Sequence, residues 1–326
     1  MAQFLLAEGF IGGMAVEIDE DRFNEILHAK NVIKPIWDVE DTFTLLANAF
    51  IEFEESLISV GLRYLFEKDM QRDVDHFFDD ARQNVNLKLI SVLTASRVYE
   101  EQLHRRMSLL SKLVGRQIDL QSSFSSVFDG SLEYRVMYEL RNHALHNRLP
   151  LGTLAFGDFN QSPTDNVRDD TPTRLRITTD PKISVEDFCS SDRLKRRTRD
   201  EVSALGFKHL DLKFFTRGFI SCLALCHEDF RAATEAVLED ALNTLHSADH
   251  VLQIAKGEYP KHASIMRRKD GQNEDHYVDY SKNSRILEIR KFWTGLKRVQ
   301  RGYVSSEVKA SANTYPQQHD KIWISK

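Results

Sequence analysis

A chain of 326 residues can hold one large domain or two modest ones with a filled core. Charged residues at 29% and hydrophobic ones at 41% are ordinary for a globular protein and exclude disorder as its dominant state. The net charge of −5 supplies no global basic field, so any nucleic-acid binding must come from local patches.

The stretch Gln3 to Ile18 mixes apolar residues with Gly9, Gly12 and Gly13 and reads as a short hairpin or irregular lead-in. Its first residues lack a basic segment, and Glu17, Asp19, Glu20 and Asp21 follow, so no secretory signal is expected. Pro35 closes a connecting stretch. From Asp38 to about Phe66, Phe43, Leu46, Ala47, Phe50, Ile51, Phe53 and Leu57 recur at helical steps. A second helix is expected from about Asp73 to Val114, ended by Gly115 and the polar stretch Gln121 to Ser126. A third follows the Asp129-Gly130-Ser131 turn, capped by Asp129 or Ser131 and stopped before Pro150 and Gly152.

Leu154 to Phe159 and Thr173 to Thr178 read as the strands of a protruding β-hairpin, within residues 151–188. Helical character returns at Ser190 to Leu205. A long amphipathic helix is expected over His209 to Ile254, with Phe214, Phe215, Phe219, Leu223, Leu225 and Phe230 on or near its apolar face. The polar remainder, residues 257–326, holds an expected loop (Arg267 to Glu274) and a short helix (Ser284 to Val299). No apolar run reaches the roughly 18 residues of a membrane span. Cys189, Cys222 and Cys226 are too few and odd in number for a disulfide framework, which points to a reducing compartment, the cytoplasm. The expected fold is thus mainly α, a helical bundle with an inserted β-hairpin and a C-terminal extension.

The third helix carries Arg141-Asn142-His143-Ala144-Leu145-His146. Metal-free RNA cleavage uses the 2′-hydroxyl of the substrate as nucleophile. The protein must supply proton transfer and positive charge where the phosphorane gathers negative charge. Histidine suits the first and arginine the second. Arg141 and His146 supply both, although a five-residue step turns roughly 140° around a helix. Asn142 and His146, four apart, share a face. Arginine followed by histidine at comparable spacing also occurs at Arg22/His28 and Arg97/His104. Arg141 differs in being followed by Asn142 late in an apolar-patterned helix between pairs of long helices.

This arrangement resembles the HEPN family, helical bundles of four or five helices with an Arg-polar-x-x-x-His signature late in the third or fourth helix. The resemblance covers residues 39–256 in architecture and Arg141 to His146 in sequence. It leaves 1–38 as a lead-in and 257–326 as an extension. It implies a metal-independent endoribonuclease that leaves 2′,3′-cyclic phosphate ends, acts as a homodimer with a composite site, and needs no cofactor. Toxin or antiviral-defence roles, RNA as substrate, and a protein antitoxin or regulator follow from the same resemblance. Arg141 would polarise the scissile phosphate, His146 would move protons and Asn142 would orient it or touch the phosphate, with His143 a further candidate. Some family toxins carry a tyrosine two residues after the histidine, where this chain has Arg148, so that mode of control is not inferred. The alternative is a non-catalytic bundle that binds RNA, nucleotide or a protein partner.

Other residues offer two readings each. Arg193, Lys195, Arg196, Arg197 and Arg199 are a phosphate-contacting run or a solvated helical surface. Lys291, Lys297, Arg298 and Arg301, among Phe292, Trp293 and Tyr303, suit base stacking or a docked C-terminal helix. Cys222, Cys226 and His227 lack a fourth ligand at a recognisable spacing, so buried cysteines are expected rather than a metal site. Glu100, Glu101 and His104 either approach the motif or form an exposed charged face. No Walker loop, dinucleotide fingerprint or nucleophile elbow occurs.

Overall fold

The computed structural model describes residues 2–9, 13–67, 74–146, 149–161, 174–192, 194–260, 262–270 and 272–304. It is mainly helical with two small antiparallel sheets. The chain divides into two compact units. The first comprises Met1–Ala49, Val92–Ser131 and Cys222–Lys297; the second comprises Phe50–Ser91, Leu132–Ser221 and Arg298–Lys326. No described helix is long and apolar enough to cross a membrane.

In the first unit, strands β1 (Gln3–Glu8) and β2 (Ala15–Glu17) form the expected N-terminal hairpin. Helix α1 (Glu20–Glu67) then begins at Glu20, well before the Asp38 that the periodicity suggests. Asp19 Oδ1 accepts from Arg22 N at 2.7 Å, and Glu20 and Asp21 suit the helix's positive end. Pro35 lies inside the helix and is buried. An interior proline costs about 3 kcal/mol. Burial of Phe23, Ile26, Val32, Ile33 and Ile36, at roughly 1.5–3 kcal/mol per large side chain, outweighs it.

Helix α2 (Val74–Val114) falls where expected and ends at Gly115, whose φ of +65° terminates it. The polar stretch after it is not a loop but helix α3 (Gln121–Gly130), which buries Phe124 and takes Asp129 into its own last turn.

The expected loop Arg267 to Glu274 is the tip of a second hairpin, β6 (Ala263–Lys269) and β7 (Gln272–Tyr277). Its polar composition misleads because only the first half of β6, Ala263 to Ile265, is buried. Strand β1 pairs antiparallel with β6 from Gln3↔Arg268 to Glu8↔Ala263, giving the sheet order β2-β1-β6-β7. The N-terminal hairpin and the hairpin that follows the last long helix therefore share one sheet.

In the second unit, α4 (Leu132–His146) is followed by β3 (Thr153–Gln161) and β4 (Arg174–Ser184), the expected hairpin. The third strand, β5 (His209–Asp211), pairs with β4. Within the span Ser190 to Leu205, expected to be helical, the helix is α6 (Arg196–Ala204), and a short helix α5 (Val185–Cys189) precedes that span. Ser184 caps α5 by accepting from Asp187 N at 3.3 Å, and the extended backbone of Lys195 starts α6.

Helix α7 (Leu212–Lys256) is capped by Asp211, whose Oδ1 accepts from Lys213 N at 2.8 Å and Phe214 N at 3.2 Å. Phe214 and Leu225, expected near its apolar face, are exposed, whereas Phe215, Phe219, Leu223 and Phe230 are buried. In place of one helix over 284–299 there are α8 (Tyr280–Ser284), α9 (Ile286–Ile289) and a 3-10 helix over Thr294–Arg301. Trp293, at φ +66°, breaks the run between the last two.

Candidate functional site

Helix α4 buries Val136, Met137 and Leu140, as its pattern predicts. It also buries Arg135, Glu139, Arg141 and His143, each 4–6% exposed. A helix on a bundle surface normally keeps such groups on its wet face. Ionisable groups held out of water at this density mark a functional candidate.

Tyr138 organises the end of the helix. The Arg141 guanidinium carbon lies 4.5 Å from the centre of its ring, and Lys195 Nζ lies 5.3 Å from the same centre. Both are within cation–π range. Burial pushes the Glu139 carboxyl up. The Lys195 charge, a hydrogen bond with Asn142 and the Arg141 charge pull against it. Glu139 Oε1 has no hydrogen-bond partner among the described residues. Arg141, Asn142 and Lys195 are thus brought together around Tyr138 and Glu139. At the other end of α4, Arg135 is ion-paired with Glu201 of α6, and this contact holds the Glu201 carboxyl below its ordinary value.

His146 is the last residue of α4, and its side chain lies outside the described residues, as does Arg193. The rest of the basic run is largely engaged by neighbours. Arg196 is 92% exposed and pairs with Asp200 at 3.5 Å, and Arg197 pairs with Glu201 at 3.1 Å. Arg199 Nη2 donates to the Ser191 carbonyl at 2.8 Å. Lys195 reaches the Tyr138 ring that Arg141 also covers.

Sequence reasoning missed a second charged cluster, in the first unit. His227 Nδ1 lies 3.1 Å from the Tyr99 hydroxyl, and its Nε2 lies 3.0 Å from Glu40 Oε2. Arg231 Nη2 donates to the same oxygen at 2.7 Å, and Arg290 Nε lies 3.2 Å from Glu40 Oε1. The Phe43 ring stacks on the imidazole at 3.8 Å.

Burial alone would raise the Glu40 carboxyl, but hydrogen bonds from His227 and Arg231 hold it at about 2. Burial pushes His227 down, so a neutral ring donating from Nε2 and accepting the Tyr99 proton at Nδ1 satisfies both contacts. This chain of groups resembles a proton relay in chemistry, yet Tyr99 is fully buried and Glu40 and His227 are 1% exposed. It ties α1, α2, α7 and the residue that follows α9 together. The only sequence signal was the four-residue step from His227 to Arg231.

The remaining candidates resolve simply. Cys226 is buried and its thiol is pushed up to about 12 by that burial, while Cys222 is half-buried. Among the described residues no group of three His, Cys, Asp or Glu could hold a metal ion. Glu100 is buried rather than on an exposed face, because it stands at helical steps from the buried Leu93, Ser96, Leu103 and Met107 on α2. Glu101 is paired with Arg97 at 2.5 Å. In the C-terminal run, Lys297 Nζ donates to Glu228 at 2.8 Å and Trp293 Nε1 to Thr44 at 3.3 Å, so both residues dock on helices. Phe292 and Tyr303 are exposed.

No family model matches this sequence, and no curated protein and no solved structure matches it. The fold defines a mainly helical protein.

Proposed function

We propose that the chain is a metal-independent endoribonuclease working from the end of α4. The observation that supports this reading is the convergence of Arg141 and Lys195 on Tyr138. Two cations at one ring form a receptor for phosphate, and would stabilise the charge that gathers on a pentacoordinate phosphorus. In this reading the substrate 2′-hydroxyl attacks, His146 transfers protons and Asn142 orients the reacting groups. A second copy of the motif, brought by homodimerisation, completes the proton donor and acceptor pair. The sequence resemblance to HEPN ribonucleases points the same way.

The burial of Arg141 and His143 favours a second reading, a non-catalytic bundle in which the motif is a structural knot and binding to RNA, nucleotide or protein occurs elsewhere. Cleavage of a mixed cellular RNA pool in EDTA separates the two. The ribonuclease reading expects cyclic-phosphate products from the wild type and none from His146→Ala or Arg141→Ala variants that stay folded. Absence of cleavage by folded, dimeric wild-type protein would transfer the assignment to the binding reading.

A further inference from the structure

A cleft of about 520 Å³ lies in the first unit and is lined by His262, Tyr277, Asp279, Ser281, Lys282 and Arg285. None of these residues belongs to the α4 motif or to the Glu40 cluster. Its innermost group is Asp279, which is 5% exposed. Asp279 Oδ2 accepts from His262 Nδ1 at 2.9 Å, and its Oδ1 has no hydrogen-bond partner among the described residues. The bond at Nδ1 fixes the orientation of an imidazole that is itself half-exposed.

The walls are held closely from below. Gly9 N donates to the His262 carbonyl at 2.8 Å. A Cβ at Gly9 would stand 3.2 Å from His262 Cβ and 3.3 Å from Tyr277 Cε1, tighter than ordinary van der Waals contact. The turn after β1 therefore presses against the two residues that flank the cleft, and only glycine leaves both in place.

The charge balance selects the ligand. His262, Lys282 and Arg285 face one carboxylate, and that carboxylate is already engaged by His262. Two permanent cations disfavour a metal ion and favour an anion. A lone phosphate would fill little of a space that falls within the range of small-ligand sites. The Tyr277 ring, 60% exposed, offers a flat apolar face beside the cations. We propose that this cleft binds a nucleoside monophosphate, with the phosphate on Lys282, Arg285 and His262 and the base laid against Tyr277.

Isothermal titration of the full chain with AMP, and separately with inorganic phosphate, tests this. AMP is expected to bind saturably below about 1 mM and at least roughly tenfold more tightly than phosphate. The Lys282→Ala/Arg285→Ala double variant, altered only at exposed side chains, should keep its thermal midpoint and lose both ligands. Tyr277→Ala should bring AMP down to the affinity of phosphate. The proposal is overturned if neither ligand gives saturable heat up to about 10 mM, if AMP and phosphate bind the wild type equally, or if the double variant binds AMP as the wild type does.

Discussion

His227 Nε2 and Glu40 Oε2 lie 3.0 Å apart with both side chains 1% exposed, so the contact is almost completely enclosed. Glu40 also neutralises Arg231 and Arg290, and the Arg290 side chain is only 7% exposed. Removing the carboxylate would strand buried positive charge, which costs about 3–5 kcal/mol. Glu40→Ala should therefore lower the urea midpoint strongly, and Glu40→Gln, which keeps one acceptor oxygen, should lower it less. The acid limb carries a second signature. The folded value of about 2 lies below the ordinary 4.5, so the contribution is fully present above 4.5 and is lost as pH falls towards 2. Stability of the wild type should decline through that window, with a shallower decline in Glu40→Gln; identical acid limbs would refute the role given to Glu40.

Asp249 works in the opposite sense. It is 3% exposed, accepts from Tyr280 N at 3.3 Å, and burial, opposed by that bond and reinforced by Asp279, pushes its carboxyl up to about 7. The folded value exceeds the ordinary 3.8, so stability is greatest below that value and falls as pH rises through 7. At about 1.4 kcal/mol per decade, the loss between about pH 4 and pH 8 is on the order of 4 kcal/mol. Asp249→Asn, which fixes a neutral side chain, should flatten the neutral limb and raise the melting midpoint at pH 8. A variant less stable than the wild type at pH 8 would show that the charged carboxylate is the favoured form.

What the sequence made legible was local. Helix α2, helix α4 and the β3–β4 hairpin follow from periodicities contained within each segment, and all three fall within a few residues of expectation. What it hid depends on distance along the chain. The pairing of β1 with β6 joins strands that are remote in sequence, and Glu40 meets His227 across 187 positions. Pro35 concealed the first half of α1 because a local penalty is visible in sequence and the packing that overrides it is not. The motif itself was legible as residue types. Its burial was not, since Arg141 and His143 look like surface residues until the neighbouring elements are placed.

Under the ribonuclease reading, Lys195 and Arg196 should behave differently despite being adjacent and both exposed. Lys195 Nζ shares the Tyr138 ring with Arg141, while Arg196 extends into solvent beside Asp200. Removing a group that stabilises charge on a reacting phosphate typically costs roughly a hundredfold in rate. Single-turnover cleavage should fall by about that factor in Lys195→Ala and change little in Arg196→Ala. Equal losses would mean that the run acts only as a diffuse basic surface, with no special place for the residue nearest the motif.

Gly218 sits in the interior of α7 where that helix meets the start of α4. On helix propensity alone, Gly218→Ala would stabilise by about 1 kcal/mol. The geometry opposes this. A Cβ at Gly218 would lie 2.6 Å from Gln300 Nε2 and 2.7 Å from both Cβ and Cγ of Glu133. The end of the glutamine can swing aside, but the Glu133 Cβ is fixed to the first turn of α4, beside the Tyr134–Phe219 ring contact at 5.2 Å. Accommodation therefore requires α4 to shift, at a cost of about 1–3 kcal/mol, which exceeds the propensity gain. Thermal unfolding of Gly218→Ala should show a lower midpoint than the wild type. A higher midpoint would mean that α4 can move away from α7 at little cost, and that the position of the motif is not set at this crossing.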